Sequence, residues 1–325
     1  MNRLAFVTFD PSHVEAAIKL VMDHYGKEKE EVSMLPVFSD YLPILAKNMK
    51  ALAGKGEGIA LIEDDTLLGF MAGYPIDAFF GRQKGIFVPV FGHGTVFSRR
   101  AELEQMLYVE AAEKWVKQAR FTHSIAIFAH DEVLLDTWFH LGFGNRCVDA
   151  VRVIRSQPSG DPTLSFDEIT IENASSVASL HAQHHRYYRS SPIFMPTPEE
   201  DALADLNDWL SRKGNRMFVV IYQGAVAGYI RYQGAGESLF SVHPRIRNIT
   251  GLFVSPLFRH LGLGEKLSNH VESKLLAEGV DLVGVDYESI NPKANRFWGR
   301  HFTPYTYSLV RRIDERMDSV CEESR

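Results

Sequence analysis

The sequence predicts a protein of two tandem α/β domains. Its 325 residues exceed the length of most single domains and allow two units, each with its own core. Prolines, a glycine and small polar residues interrupt the apolar pattern at residues 156–163, and the same order of elements occurs on both sides. We therefore predict a first domain at residues 1–158 and a second at residues 159–325, related by internal duplication.

The first domain begins with a predicted strand at residues 5–9, followed by a helix-like stretch. Residues 58–63 and 67–74 alternate as the two strands of a hairpin do. Two further strands are predicted at residues 86–90 and 124–128, each followed by a helix. The helix between these strands has an apolar stripe at helical spacing, formed by Leu103, Leu107, Ala111 and Trp115.

The second domain repeats this order. A strand at residues 168–172 precedes a helix, and residues 217–222 and 226–232 form the hairpin. The later strands are predicted at residues 248–254 and 281–287. The helix between them has apolar residues four positions apart, at Leu267, Val271 and Leu275.

Composition excludes several classes of protein. The formal net charge of −6 argues against a general nucleic-acid binder, whose affinity depends on clustered basic residues. No apolar stretch approaches the length of a membrane span, and the first residues lack the features of a signal peptide. Cys147 and Cys321 provide neither a disulfide framework nor a cysteine-based metal site. We expect a cytoplasmic protein without nucleic-acid or membrane partners.

A glycine turn is the most informative motif. "RHLGLG", residues 259–264, follows a predicted strand and precedes a helix. Glycines let backbone N–H groups approach a ligand closely, and a helix start adds a positive dipole end, so the turn predicts a phosphate or pyrophosphate site. The matching stretch of the first domain, residues 91–100, lacks this order of arginine and glycines. No Walker-type lysine accompanies either turn, which disfavours an ATP or GTP switch.

With its surroundings, the C-terminal half resembles the GNAT superfamily of acyl-CoA-dependent N-acyltransferases. The hairpin, a strand, "VSPLFRHLGLG", a helix, the strand "LVGVDY", "NPKANRFW" and the final strand "YTYSLVRRI" follow in the family's order. The resemblance covers roughly residues 165–315 and is only topological over residues 1–155. It implies two tandem GNAT-like domains, each a mixed, mostly antiparallel sheet flanked by helices, with a catalytic second domain and a degenerate first domain.

The resemblance implies coenzyme-binding residues. A backbone N–H near Phe253 or Val254 would polarise the thioester carbonyl. The pantetheine arm would lie along the strand edge formed by Leu252, Phe253 and Val254. The pyrophosphate would lie against the backbone amides of Arg259, His260, Leu261, Gly262, Leu263 and Gly264, with help from the Arg259 side chain. The second coenzyme-contacting helix would supply Asn291, Ala294 and Trp298. The implied co-substrate is acetyl-CoA.

The acid that protonates the departing thiolate is not defined by the motifs. Family members often have a tyrosine at the place of Trp298, and an indole cannot donate that proton near neutral pH. Tyr305 and Tyr307 are the nearest alternatives, although both could instead pack a sheet face. A thiolate whose conjugate acid has a pKa of roughly 8.5 could also leave unaided.

Glu288 is the candidate catalytic base, with a solvated or salt-bridged role as the alternative. Asp286 and His243 also lie near the expected site strands. We interpret the cluster of His181, His184 and His185 as a polar helix face rather than a metal centre, because no further ligands can be recognised. The sequence therefore predicts no metal.

These observations predict an N-acetyltransferase that moves an acetyl group directly from acetyl-CoA to an amine in the second domain. The alternative is a non-catalytic acyl-CoA-binding sensor or interaction module, because Trp298 and the missing strand carboxylate could mark lost chemistry. The acceptor, a small-molecule or peptide amine, is not determined by the sequence. The oligomeric state is not determined either.

Overall fold

A computed structural model describes residues 4–55, 57–81, 83–155, 161–197 and 201–317. Packing divides the chain into two compact units. Unit 1 contains Met1–Val148 together with Pro304–Arg325, and unit 2 contains Asp149–Thr303. The predicted boundary between residues 158 and 159, like Cys321, lies outside the described residues. Unit 1 is thus discontinuous in sequence, because its last segment follows the whole of unit 2.

Both units contain helices and strands, which confirms the predicted α/β class. The helices are α1 (Val14–Glu31), α2 (Leu42–Ala53), α3 (Arg100–Lys117), α4 (Glu132–His140), α5 (Ser175–Arg189), α6 (Ala202–Ser211), α7 (Leu263–Ala277) and α8 (Pro292–Trp298). The strands are β1 (Leu4–Thr8), β2 (Ile59–Glu63), β3 (Thr66–Met71), β4 (Tyr74–Phe79), β5 (Gln83–Val88), β6 (His93–Thr95), β7 (Thr122–Phe128), β8 (Gly144–Val153), β9 (Leu164–Ile169), β10 (Arg216–Tyr222), β11 (Ala225–Gln233), β12 (Ile246–Val254), β13 (Leu282–Glu288) and β14 (Thr303–Arg312). None of these helices combines the length and apolar character needed to cross a bilayer.

The strands of unit 1 follow two orders, β1-β2-β3-β6 and β4-β5-β7-β14. β5 and β7 are parallel, whereas β14 pairs antiparallel with β7 from Thr306↔Phe128 to Arg312↔Thr122. The predicted stripe of α3 is buried, since Leu103, Leu107, Ala111 and Trp115 are each at most 1% exposed. Leu309 of β14 belongs to the same core cluster. The last of the described strands therefore helps to build the core of unit 1.

In unit 1 a buried ion pair joins the segment before α3 to α3 itself. His93 lies in the short strand β6, which pairs with β3, and its Nδ1 is 2.9 Å from Oε1 of Glu104. Its Nε2 lies 3.0 Å from the carbonyl oxygen of Ala126. Both members of the pair are nearly inaccessible to solvent. Strand pairing and this ion pair occupy the place that a glycine turn takes in unit 2.

We expect two buried histidines of unit 1 to affect stability with opposite pH dependence. Burial lowers the pKa of His123 to about 4. Burial also opposes protonation of His93, but the Glu104 carboxylate raises the pKa of His93 above its ordinary value. An unfolded chain protonates histidine near pH 6.5, within about half a unit. His123→Gln should lower the free energy of unfolding. This loss relative to the wild type should become smaller as the pH falls below 6.5, by up to about 1.4 kcal/mol per pH unit.

The loss of unfolding free energy caused by His93→Gln should be greatest below pH 6.5. It should become smaller as the pH rises, because His93 of the folded wild type then loses the proton that stabilises its contact with Glu104. Urea unfolding of both variants and the wild type between pH 4.5 and 9 measures these losses. Fluorescence of Trp115, whose ring centroid is 5.1 Å from that of His123, provides a signal from unit 1. Parallel pH dependences for the two variants would contradict the prediction.

The strands of unit 2 run in the order β9-β10-β11-β12-β13. Neighbours are antiparallel except for β12 and β13, which are parallel. Met217 and Val219 of β10 pack in the core cluster that includes residues of α5 and α6. Phe218 points to the opposite face, where Lys274 of α7 lies 5.4 Å from its ring centroid. Helices therefore cover both faces of this sheet, and the predicted α7 stripe of Leu267, Val271 and Leu275 is buried.

The first strand of unit 2 lies earlier than predicted. β9 ends at Ile169, whereas the sequence pattern predicts a strand at residues 168–172. The backbone N–H of Thr170 donates to Oδ1 of Asn173 at 2.7 Å, and a short 3-10 turn, Ile171–Asn173, follows. This local hydrogen bond ends the strand, because it offers the backbone an alternative to sheet pairing.

Candidate functional site

β12 and β13 lie side by side only at their beginnings. Their pairing runs from Ile246↔Leu282 to Ile249↔Val285, after which both strands continue without further pairing to each other. β12 remains paired with β11 as far as Gly228↔Val254. An irregularity at Thr250 shifts the β11–β12 register, and its Oγ1 is buried without a hydrogen bond to any described residue. A gap with one free strand edge therefore opens between β12 and β13.

Backbone alternation determines which amides face this gap. The N–H of Ser255 donates to the carbonyl oxygen of Ala227 at 2.9 Å, on the β11 side. Successive residues of a strand point their N–H groups to opposite sides, so Phe253 also faces β11 while Leu252 and Val254 face the gap. The carbonyl oxygen of Val254 accepts a hydrogen bond from Nε of Arg259 at 3.1 Å. The free edge thus offers two N–H groups to an extended ligand.

The glycine turn connects this edge to α7. A 3-10 segment, Pro256–Leu261, leads to Gly262, whose φ of +67° is in the left-handed region. Gly264 is buried, and a Cβ there would lie 3.4 Å from Cδ2 of Leu252. The first N–H groups of α7 have no helical acceptor, and none of the described side chains caps them. The glycine turn and these uncapped N–H groups together form a site suited to an anion.

Arg259 lies at the end of the free edge. Its Cζ is 5.3 Å from the ring centroid of Tyr187 and 5.4 Å from that of Phe253. Arg259 and His260 are exposed, Leu261 is half-buried, and Leu263 is buried as the first residue of α7. The turn residues predicted to hold the coenzyme therefore lie together, and the Arg259 side chain is folded back along β12.

The opposite side of the gap is formed by the end of β13 and the start of α8. Oδ1 of Asn291 accepts hydrogen bonds from the N–H groups of Lys293 and Ala294, at 3.2 and 3.3 Å. The same oxygen accepts from the hydroxyl of Tyr187 at 2.9 Å. Helix α5, which contains Tyr187, therefore reaches from β12 to α8. Trp298 is only 6% exposed and lies against Phe297 and Phe302, with ring centroids at 4.7 and 5.3 Å.

The candidate bases lie in different places. Glu288 is the last residue of β13, and Asp286 shares its strand face because side chains alternate. Burial and repulsion from the carboxylates of Glu237 and Asp149 raise the pKa of Asp286 well above its ordinary value. His243 precedes Ile246, the first residue of β12, which itself lies roughly 26 Å along the strand from Val254 at about 3.3 Å per residue. Only the two carboxylates are therefore near the gap.

The candidate acids belong to unit 1. Tyr305 is buried, and its carbonyl oxygen accepts a hydrogen bond from the N–H of Ala129 at 3.0 Å. Tyr307 is half-buried and packs against the core cluster of unit 1. Burial raises the pKa of Tyr307. Both tyrosines thus lie in unit 1, whereas the glycine turn lies in unit 2.

A buried polar chain on α5 was not predicted as a unit. The hydroxyl of Tyr229 lies 2.6 Å from Nδ1 of His184 and 2.9 Å from Nδ1 of His181. Nε2 of His181 lies 2.6 Å from Oδ2 of Asp205. Burial lowers the pKa of His181 to about 4, and burial also lowers the pKa of His184 well below its ordinary value. The sequence showed the spacing of the histidines but not their partners, which lie on β11 and α6.

His181, His185 and Asp205 place three ligand-type atoms within 4.8 Å of one another. The direct hydrogen bond between His181 and Asp205 already joins two of these atoms. We therefore interpret the group as part of a hydrogen-bonded chain rather than as a metal centre.

Comparison with known proteins relates this part of the chain to a protein family. Residues 180–302 match the model of the acetyltransferase (GNAT) family. The matched range begins in α5 and ends before β14, so it lies within unit 2. A search of curated protein sequences gives no match.

Solved structures match nearly the whole chain. The GCN5-related N-acetyltransferase from Sphaerobacter thermophilus matches with TM-score 0.59 and 13% identity, over 95% of each chain. A GCN5-related glucosamine N-acetyltransferase region of a fungal GH3 β-N-acetylglucosaminidase matches with TM-score 0.57 and 12% identity, over 95% of this chain and 38% of that chain. A tandem GNAT protein from the clavulanic acid biosynthesis pathway matches with TM-score 0.49 and 14% identity, over 95% and 98%. At these identities, the first two matches show a shared fold.

Proposed function

We propose, from the premise that residues 180–302 form a domain of the GNAT superfamily, that unit 2 transfers an acetyl group from acetyl-CoA to an amine. The family supports acyl transfer from acyl-CoA to an acceptor, and the acetyl group, the amine and the location in unit 2 are our proposal. One observation carries it: the free edge of β12 leads within eight residues to Gly262 and the uncapped start of α7. A strand edge and an anion site thus lie in the order that a pantetheine arm and a pyrophosphate require.

The residues present fit the coenzyme. The N–H groups of Leu252 and Val254 would pair with the amides of the pantetheine arm, because they face the gap. Backbone N–H groups from Gly262 to Gly264 would bind the pyrophosphate, since they stand at the uncapped start of α7. Of the two amides considered for the thioester carbonyl, that of Val254 lies on the free edge.

The chemistry is direct transfer. The amine nitrogen attacks the thioester carbonyl, the N–H of Val254 stabilises the oxyanion, and the carbon–sulfur bond breaks to give an amide and free coenzyme A. The amine must lose a proton, and Glu288 at the end of β13 is the base that the sequence favours. Residue 298 is a tryptophan and not a tyrosine, so it cannot protonate the departing thiolate. These residues therefore leave the acid unassigned.

Titration calorimetry with acetyl-CoA tests the proposal. We expect about one site per chain, and we expect Arg259→Glu to weaken binding roughly tenfold or more, which corresponds to about 1.4 kcal/mol. Arg212→Glu is the matched charge reversal, because Arg212 lies on the surface of the same unit and pairs with Asp208. It should leave the affinity unchanged.

Thiol release with a panel of polyamines, amino sugars, amino acids and peptides then measures turnover. Release that depends on one of these amines supports an enzyme. Binding without thiol release for any amine supports the sensor alternative, and no binding of acetyl-CoA rejects both functions.

A further inference from the structure

We propose that His184 takes the proton from the acceptor amine and later returns it to the departing thiolate, while Tyr229, His181 and Asp205 hold the proton in between. This inference rests on the proposed function, because it assigns the proton steps of that reaction.

The hydrogen bonds form an unbroken chain from the core to the surface. His184 is 2.6 Å from Tyr229, Tyr229 is 2.9 Å from His181, and His181 is 2.6 Å from Asp205. The first three residues are at most 5% exposed. The Asp205 side chain is 31% exposed and ends the chain at solvent.

The carboxylate determines the direction of every hydrogen bond. An ionised carboxylate can only accept, so Nε2–H of His181 must donate to Asp205. Nδ1 of the neutral His181 ring is then an acceptor and receives the hydroxyl proton of Tyr229. The Tyr229 oxygen in turn accepts from Nδ1–H of His184, which leaves Nε2 of His184 with a free lone pair. That Nε2 makes no hydrogen bond to the described residues.

His184 lies beside the gap between β12 and β13. Its ring is stacked on Phe253, with centroids 4.7 Å apart and an interplanar angle of 22°. Phe253 lies between Leu252 and Val254, the two residues whose N–H groups face the gap. One turn later on α5, Tyr187 donates to Asn291 on the other side. Helix α5 therefore places His184 beside the part of the gap in which the thioester would lie.

The proton steps balance without an outside donor. Attack of the amine on the carbonyl forms a carbon–nitrogen bond and leaves an ammonium proton, which passes to Nε2 of His184. In the same step Nδ1–H of His184 passes to Tyr229, the Tyr229 proton to His181, and Nε2–H of His181 to Asp205, so that neither buried ring becomes charged. When the carbon–sulfur bond breaks, the same shifts run backwards and Nε2 of His184 protonates the sulfur. Nitrogen and sulfur are bonded to the same carbon in the intermediate, so one imidazole nitrogen can serve both.

Tautomer assignment by ¹⁵N NMR of histidine-labelled full-length protein tests the chain without any substrate. We expect the proton on Nδ1 in His184 and on Nε2 in His181. A proton on Nε2 of His184 in the neutral ring would overturn the proposal. This result does not depend on turnover, so it separates failure of the relay from failure of the proposed function.

Kinetics of Asp205→Asn tests the role of the chain. Asparagine still accepts the hydrogen bond from His181 but cannot hold a proton. We expect kcat to fall on the order of 100-fold, with the KM for acetyl-CoA unchanged. The wild type should show a curved proton inventory in mixtures of light and heavy water, and the variant should lose that curvature.

Asp208→Asn, on the same helix and paired with Arg212 at the surface, is the matched control and should keep the wild-type kcat. A loss of kcat in Glu288→Gln together with normal turnover in Asp205→Asn would instead assign the base to Glu288. Activity that is lost on chelation and regained with zinc would assign His181, His185 and Asp205 to a metal and overturn the relay.

Discussion

Gly262→Val is expected to abolish acetyl-CoA binding, with at least a 100-fold loss of affinity, equivalent to about 3 kcal/mol. Gly262 has a φ of +67° and directly precedes Leu263, the first residue of α7. A residue with a Cβ loses roughly 1–2 kcal/mol in this conformation, and a β-branched residue loses more. The turn should therefore change conformation, and the N–H groups that would bind the pyrophosphate should no longer converge. Titration calorimetry measures the loss.

Gly279→Val is the control for backbone strain. Gly279 follows the other end of α7, has a φ of +84°, and has open space around the position of a Cβ, as Gly262 does. Both variants should lose a similar amount of stability in urea unfolding, but Gly279→Val should bind acetyl-CoA normally. Equal losses of affinity in the two variants would mean that strain in α7, rather than the glycine turn, controls binding.

Truncation of the chain after Thr303 is expected to unfold unit 1 while unit 2 stays folded. The truncation removes the strand partner of β7 from Thr306 to Arg312 and removes Leu309 from the core of unit 1. It also removes the hydrogen bond from the N–H of Ile313 to Phe121. Burial of one leucine contributes about 1.5–3 kcal/mol, and the lost backbone pairing adds to this, which is a large part of the 5–15 kcal/mol that stabilises a typical domain.

Hydrogen exchange read by mass spectrometry distinguishes the two units. Protection should be lost in β5 and β7 and retained in β10 and β11. Truncation after Met317 is the control, because it keeps β14 complete, and it should protect both units as in the full chain. Retained protection of β7 without β14 would show that unit 1 is stable on its own.

Features determined by nearby residues were predictable from the sequence. The buried stripe of α7 follows from spacing alone, and the turn at Gly262 follows from glycines placed between a strand and a helix. β9 was displaced because a single hydrogen bond between Thr170 and Asn173 ends it, and periodicity does not report such a bond.

Features that depend on distant residues were not predictable. β14 lies within the predicted second domain at residues 159–325, and its pattern does not reveal that β7 of unit 1 is its partner, because any free strand edge can accept it. The polar chain needs Tyr229 and Asp205, which lie 45 and 21 residues from His184, and their positions depend on how α5 and α6 pack on the sheet. Trp298 likewise occupies a core position that its motif did not indicate.

Because unit 1 is discontinuous in sequence, unit 2 is completed before unit 1 during synthesis. The ribosome releases every residue of unit 2 before it releases β14, so the half that comes second in sequence is the first that can fold completely. Until β14 appears, one edge of β7 lacks its native neighbour and is open to pairing with other extended segments. A nascent chain that has released Thr303 but not the rest of β14 would thus carry a finished glycine turn on an unfinished protein.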